Sequence, residues 1–104
     1  MRDRNISNAD IWQITALIRV AASVGGISPK IITGSSRSQP GAFMRQLAMA
    51  YTYRMTELTL SQIAESFGRL DHGTVSHAIT RVRKGGRNDR ERELLRRFED
   101  NVGK

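Results

Sequence analysis

Residues 58–78, LTLSQIAESFGRLDHGTVSHA, constrain this chain more than any other stretch. Thr59-x-x-Gln62 is a capping-box pattern, a helix start in which two side chains satisfy each other's backbone donors. Leu60, Ile63, Ala64 and Phe67 follow at helical spacing and face inward. Gly68 ends that helix after roughly two turns. Asp71 caps the next one, in which Val75, Ala78, Ile79 and Val82 form a buried stripe. Only Arg69 to Asp71 separate the two ends. So short a connection between two short amphipathic helices is the helix-turn-helix arrangement, whose second helix enters the major groove of duplex DNA.

The rest of the chain keeps the helical period. Ser7 caps a first helix, with Asp10 near the positive end of its dipole. Ile11, Ile14, Leu17, Ile18, Ala21 and Val24 repeat along it, and Gly25-Gly26 stops it. Ser28-Pro29 opens a single turn from Pro29 to Ile32, since proline suits the first helical position. The small, polar run GSSRSQPG over 34–41 reads as a loop. A helix over 42–57 carries the apolar stripe Met44, Leu47, Ala48, Tyr51 and Met55. Gly85-Gly86 closes the helix after Asp71. A last helix over 88–102 buries Leu94, Leu95, Phe98 and Val102 among alternating charges. No stretch alternates with period two for long enough to form a strand. The expected fold class is all-α, a compact bundle of about five or six helices in one domain over 1–104.

Charge points to the partner. The chain has 17 Lys+Arg against 10 Asp+Glu, a formal charge of +7. No acidic residue lies between Asp10 and Glu57, while Arg19, Lys30, Arg37, Arg45 and Arg54 all do. Such a surface suits a polyanion, nucleic acid before membrane. There is no cysteine, and His72 and His77 point to different helix faces, so no metal site is expected and no cofactor. The N-terminal stretch is polar and no apolar run reaches the ~18 residues of a membrane span. A soluble, cytoplasmic, nucleoid-associated protein is expected, with no membrane partner and no small-molecule substrate. No paired carboxylates or nucleophile–base arrangement stands out, so no enzyme is expected.

The opening of the second motif helix carries groups that read bases. Asp71 can accept from a cytosine amino group, His72 can donate or accept, and Thr74 offers a methyl and a hydroxyl. Gly73 lets the backbone come close. A carboxylate facing DNA rejects phosphates and wrong bases more than it adds affinity; alternatively Asp71 only caps its helix and His72 is simply exposed. His77 reaches a phosphate or packs at the rim of the core. Arg81, on the same face, is the better phosphate candidate. Arg83, Lys84 and Arg87 extend that contact or form a solvated face.

DHGTVSHA after LTLSQIAESFG resembles the C-terminal DNA-binding domain of the bacterial replication initiator DnaA. That family's signature there is Asp-His-Thr-Thr-Val followed by a His-Ala pair. Upstream, Arg45-Gln46-Leu47-Ala48-Met49-Ala50 resembles the family's Arg-Gln-apolar-Ala-Met segment, and Ser36-Arg37-Ser38 falls in its basic loop. The resemblance covers roughly residues 11–84, leaving an extra, highly charged C-terminal helix over 88–102. It implies an all-helical bundle with a helix-turn-helix of the Trp-repressor kind. It also implies that Asp71, His72, Gly73 and Thr74 read a DNA box in the major groove. Leu60 and Ser61 match the start of the first motif helix, where the family also approaches bases. Arg37, Arg45, Gln46, His77 and Arg81 fall at or near backbone-holding positions.

Three departures qualify the match. Gly73 replaces the first threonine of the signature, which removes one thymine-methyl contact. Gly34-Ser35 stands where the family has consecutive basic residues, one of which enters the minor groove, and the loop before Arg45 is slightly longer. There is no Gly-x-x-x-x-Gly-Lys-Ser/Thr loop and hence no ATPase. The chain resembles the binding domain cut free, as a small protein or as the head of a longer regulator. The first functional expectation is sequence-specific binding to duplex DNA in transcription control, as in a phage-like or mobile-element regulator. The alternative is a replication-origin or initiator-box binder. Transcription or replication machinery would be the further partners.

Overall fold

A computed structural model describes residues 6–34, 41–69 and 71–102. Among them are six helices and no strand: α1 (Asn8–Gly25), α2 (Pro29–Thr33), α3 (Gly41–Met55), α4 (Leu60–Ser66), α5 (Gly73–Arg83) and α6 (Asp89–Val102). The all-α bundle is as expected. Arg37 and most of the loop read over 34–41 lie outside the described residues.

The helix starts are written locally. Ser7 Oγ accepts from the Asp10 N–H at 3.1 Å, and the Asp10 carboxylate accepts from the Ser7 N–H at 3.0 Å. Thr59 and Gln62 close the same reciprocal box on α4, at 3.1 and 3.0 Å. Ser28 caps α2 through the Lys30 N–H at 3.2 Å, with Pro29 in the first turn. Asn88 Oδ1 accepts from the Glu91 N–H at 2.9 Å and starts α6. Each such cap is worth about 1 kcal/mol.

The centre of the bundle is α3. Both α1 and α5 pack mainly on it, and α2, α4 and α6 add to the enclosure. Its burial therefore exceeds the stripe read from sequence: Phe43, Met49, Ala50 and Thr52 are buried beside Met44, Leu47, Ala48 and Tyr51. A helix enclosed from several sides is apolar nearly all round. Gly25 lets α1 approach: a Cβ there would stand 2.7 Å from Met44 Cγ.

Several stripe residues are less buried than their period suggests. Met55 ends α3 exposed, and Ile11 lies exposed at the edge of the α1 stripe. Leu60, Ile79, Leu95 and Val102 are only partly buried against the core.

Helix α6 is tied down by polar contacts as well as by Leu94 and Phe98. The Tyr51 hydroxyl donates to Glu99, and the Tyr51 ring meets Phe98 edge-on at 5.0 Å. Burial first, then the bond to Glu99, pushes the Tyr51 phenol up to about 12. Glu91 is buried: it accepts from the Arg87 N–H at 2.8 Å and from Arg81 Nη2 at 3.1 Å. Gly86, at φ 92°, allows the α5–α6 corner to close over it, since a Cβ there would stand 2.9 Å from Glu91 Cβ.

Candidate nucleic-acid interface

The two motif helices meet at a turn built from backbone bonds. Gly68 adopts φ 71°, the left-handed conformation in which glycine carries no side-chain penalty. Its N–H donates to Glu65 O at 3.0 Å, and the Arg69 N–H donates to Ala64 O at 2.8 Å. This pair of bonds is a Schellman closure, which satisfies two orphan carbonyls at the end of α4. The connection is longer than the sequence suggested: α4 ends at Ser66 and α5 begins at Gly73. Phe67 and Gly68 belong to the closure rather than to the helix.

The opening of α5 also differs in detail. Asp71 Oδ1 accepts from the Gly73 N–H at 2.8 Å, while Asp71 O accepts from the Thr74 N–H at 3.1 Å and Thr74 Oγ1 at 2.8 Å. His72 holds the formal cap position and makes no side-chain cap bond. Asp71 thus caps from one residue further out. Gly73 makes room for this: a Cβ there would lie 3.1 Å from Asp71 Oδ1. The His72 and Asp71 side chains are 62% and 77% exposed, with His72 Nδ1 4.0 Å from Asp71 Oδ1.

Beyond the cap, α5 has two clear sides. Val75, Ala78 and Val82 are buried on α3 and α4. Gly73, Thr74, Ser76, His77, Thr80, Arg83 and Lys84 are exposed, and no acidic residue falls between Asp71 and Asp89. The N–H groups of Gly73, Thr74, Val75 and Ser76 are taken up by Asp71 and by His72 O, so it is the positive dipole end of α5, beside His72 and Thr74, that favours an anion there. Ser61 is exposed and Leu60 half-buried at the start of α4. Gln46 lines the same open groove as Asp71, Gly73, Thr74 and His77. Its Oε1 is buried with no hydrogen-bond partner among the described residues.

Two of the expected phosphate contacts are committed elsewhere. Arg45 is buried, and its guanidinium donates to the carbonyls at the end of α2: Nε to Ile32 O at 2.6 Å, Nη2 to Ile31 O at 2.7 Å and to Gly34 O at 3.1 Å. Burial, then the Arg69 guanidinium nearby, pulls its pKa below the usual arginine value. A cation at a helix C-terminus satisfies orphan carbonyls and the dipole together. Arg45 is therefore a brace between α3 and α2, and it also lines the groove that holds Gln46, Asp71, Thr74 and His77. Arg81 is likewise drawn under the surface by Glu91, and its Nε is buried.

Arg69, read only as a turn residue, proves to be the second half of that brace. Its Nη2 donates to Gly34 O at 2.7 Å. The turn of the motif is thereby fixed to the end of α2. No sequence signal marks this contact, because the two residues are 35 apart in the chain. Arg45→Ala is expected to lower stability by about 2 kcal/mol, the scale of hydrogen bonds from a charged donor. The salt slope of DNA binding should hardly change. A urea melt with a salt titration checks both; an intact melt with a slope reduced by about one unit would make Arg45 a backbone contact after all.

A short helix, a glycine-closed turn and a second helix exposing a polar N-terminal face define a helix-turn-helix domain, a class that binds duplex DNA. The chain belongs to the family described as the bacterial dnaA protein helix-turn-helix, whose model matches residues 14–82. It is 38% identical over 81 residues to the chromosomal replication initiator protein DnaA of Thermus thermophilus, covering 78% of this chain and 19% of that one. The corresponding protein of Corynebacterium aurimucosum is 40% identical over 74 residues, 69% of this chain and 14% of its own length. That of Rippkaea orientalis is 30% identical over 102 residues, 93% and 22%. The chain thus spans between 14% and 22% of the length of these curated relatives. No solved structure matches it.

Proposed function

We propose that this chain reads duplex DNA sequence-specifically through the N-terminal turn of α5, and that its target is an initiator-type box in DNA replication or its control. The observation that carries the reading is the exposed, acid-free face of α5 beginning at His72 and Thr74. His72 and Thr74 meet base edges. Asp71 contributes through whichever lone pairs its bond to the Gly73 N–H leaves open. Backbone contacts fall to His77, Arg83, Lys84 and the Gln46 amide rather than to Arg45 and Arg81. With Gly73 in place of a threonine, one methyl contact is absent, so the preferred box differs from the family's at that base.

The replication reading is favoured over transcription control because the relatives named above are replication initiators. Among the described residues no helix is long and apolar enough to cross a membrane.

Selection of bound sites from a random duplex pool tests the proposal. Enrichment of one short box, related to the one the Thermus thermophilus initiator selects in a parallel experiment, is the expected result. Enrichment of an unrelated operator-like site would return the protein to transcription control. Salt-sensitive retention without any enrichment would make it a nonspecific binder.

A further inference from the structure

Helix α1 exposes an apolar face that neither the core nor the motif uses. Trp12, the chain's only tryptophan, is 78% exposed and Ile11 51% exposed. With Thr15, Ala16 and Arg19 they line one shallow, mostly apolar groove. An exposed tryptophan beside small residues marks a contact surface rather than a solvated one. We infer that this face binds a second copy of the chain, α1 against α1, antiparallel about a two-fold axis.

The face can be its own complement in an antiparallel register. A two-fold placed between Thr15 and Ala16 sets Trp12 against Arg19 of the second copy, and Arg19 against its Trp12. It sets Thr15 against Ala16 and Asn8 against Ser23, all exposed positions on one side of the helix. A guanidinium over an indole face is the strongest common cation–π pair. Two small residues at the crossing let the helix axes come close. An isologous contact of this kind closes on itself and does not propagate. It needs no acidic group, and exposed α1 offers none: its one carboxylate, Asp10, is buried in the cap. The contact involves no residue of α4 or α5, and although α1 and α5 both pack on α3 they are not themselves a packed pair.

The salt dependence is distinctive. Each copy carries a formal +7, so long-range repulsion opposes pairing and salt screens it. Self-association should therefore strengthen with salt, whereas DNA binding weakens.

The test is sedimentation equilibrium of the 104-residue chain at low and high salt, with tryptophan emission followed across the same concentrations. The expected result is a monomer–dimer equilibrium, tighter at high salt, with Trp12 emission shifting to the blue as dimer forms. Trp12→Ala and Arg19→Ala should each abolish the dimer. Tyr53→Ala, an exposed position on α3, should not. Both loss variants should melt with the parent, since neither side chain is in the core, and they should bind a single-site duplex as the parent does. A chain that stays monomeric with water-exposed emission at all concentrations overturns the proposal. So does a dimer that survives Trp12→Ala, or emission that shifts only when a single-site duplex is added. The parent's emission needs no variant, so misfolding of a variant cannot mask the outcome.

Discussion

Glu91→Ala should be among the most damaging single substitutions in the domain, costing about 3–5 kcal/mol of stability. The carboxylate is buried, and the Arg81 guanidinium beside it is only 15% exposed. Removing the acid leaves that cation under the surface with no counter-charge, and frees the Arg87 N–H as well. Glu91→Gln keeps the shape and should cost less than the alanine variant. Arg81→Met combined with Glu91→Leu should recover part of the loss, because an apolar pair of similar volume avoids the unpaired charge. Urea melts of the set give the coupling. A Glu91→Ala variant within half of about 1 kcal/mol of the parent would place the pair among exposed, energetically neutral ones.

The same group sets a pH limit. Burial pulls the Glu91 carboxyl up, but the Arg87 N–H and the Arg81 and Arg87 charges outweigh it, and the net shift is down. A carboxylate depressed in the folded state contributes its stability above its unfolded pKa, about 4.3, and loses it as pH falls through the lower folded value. Acid melts of the parent should show this loss, and those of Glu91→Gln should lack it.

His72→Ala should cut affinity for the preferred box tenfold or more, the scale of about 1–3 kcal/mol for a base contact. Nonspecific affinity should hold, and so should the melting temperature, because the side chain is exposed and makes no cap bond. Asp71→Asn separates two roles. Its amide oxygen still accepts from the Gly73 N–H, while the free side of the group now offers a donor to the groove. Preferred sequence should shift at one base with little change in stability. Specificity unaltered in both variants, together with lost stability, would assign these residues to the scaffold and move the reading surface elsewhere.

The sequence by itself determined the local events. Capping boxes at Ser7–Asp10 and Thr59–Gln62, the glycines at 26, 68, 85 and 86, and the periodic stripes all act over a few residues, so their outcome is set by near neighbours. That is why a bundle of about five or six helices and the motif at 58–78 are legible in the sequence. The exposure of Asp71, His72 and Thr74 follows from the same logic: they open a helix whose stripe begins only at Val75.

What only the tertiary structure decided was the use of each charge. Arg45, Arg69 and Arg81 look alike in sequence, as basic residues of a basic chain. One braces α2 from the core helix, one ties the turn to the same carbonyls, and one is held by a buried glutamate. Those partners lie between 10 and 35 residues away, and helical period carries no information at that range. The same holds for α3, whose burial on nearly every side depends on which helices surround it, and for Trp12, left exposed because α1 turns its other face to α3. Local backbone chemistry writes the helices; only their packing decides which side chains remain free to meet a partner.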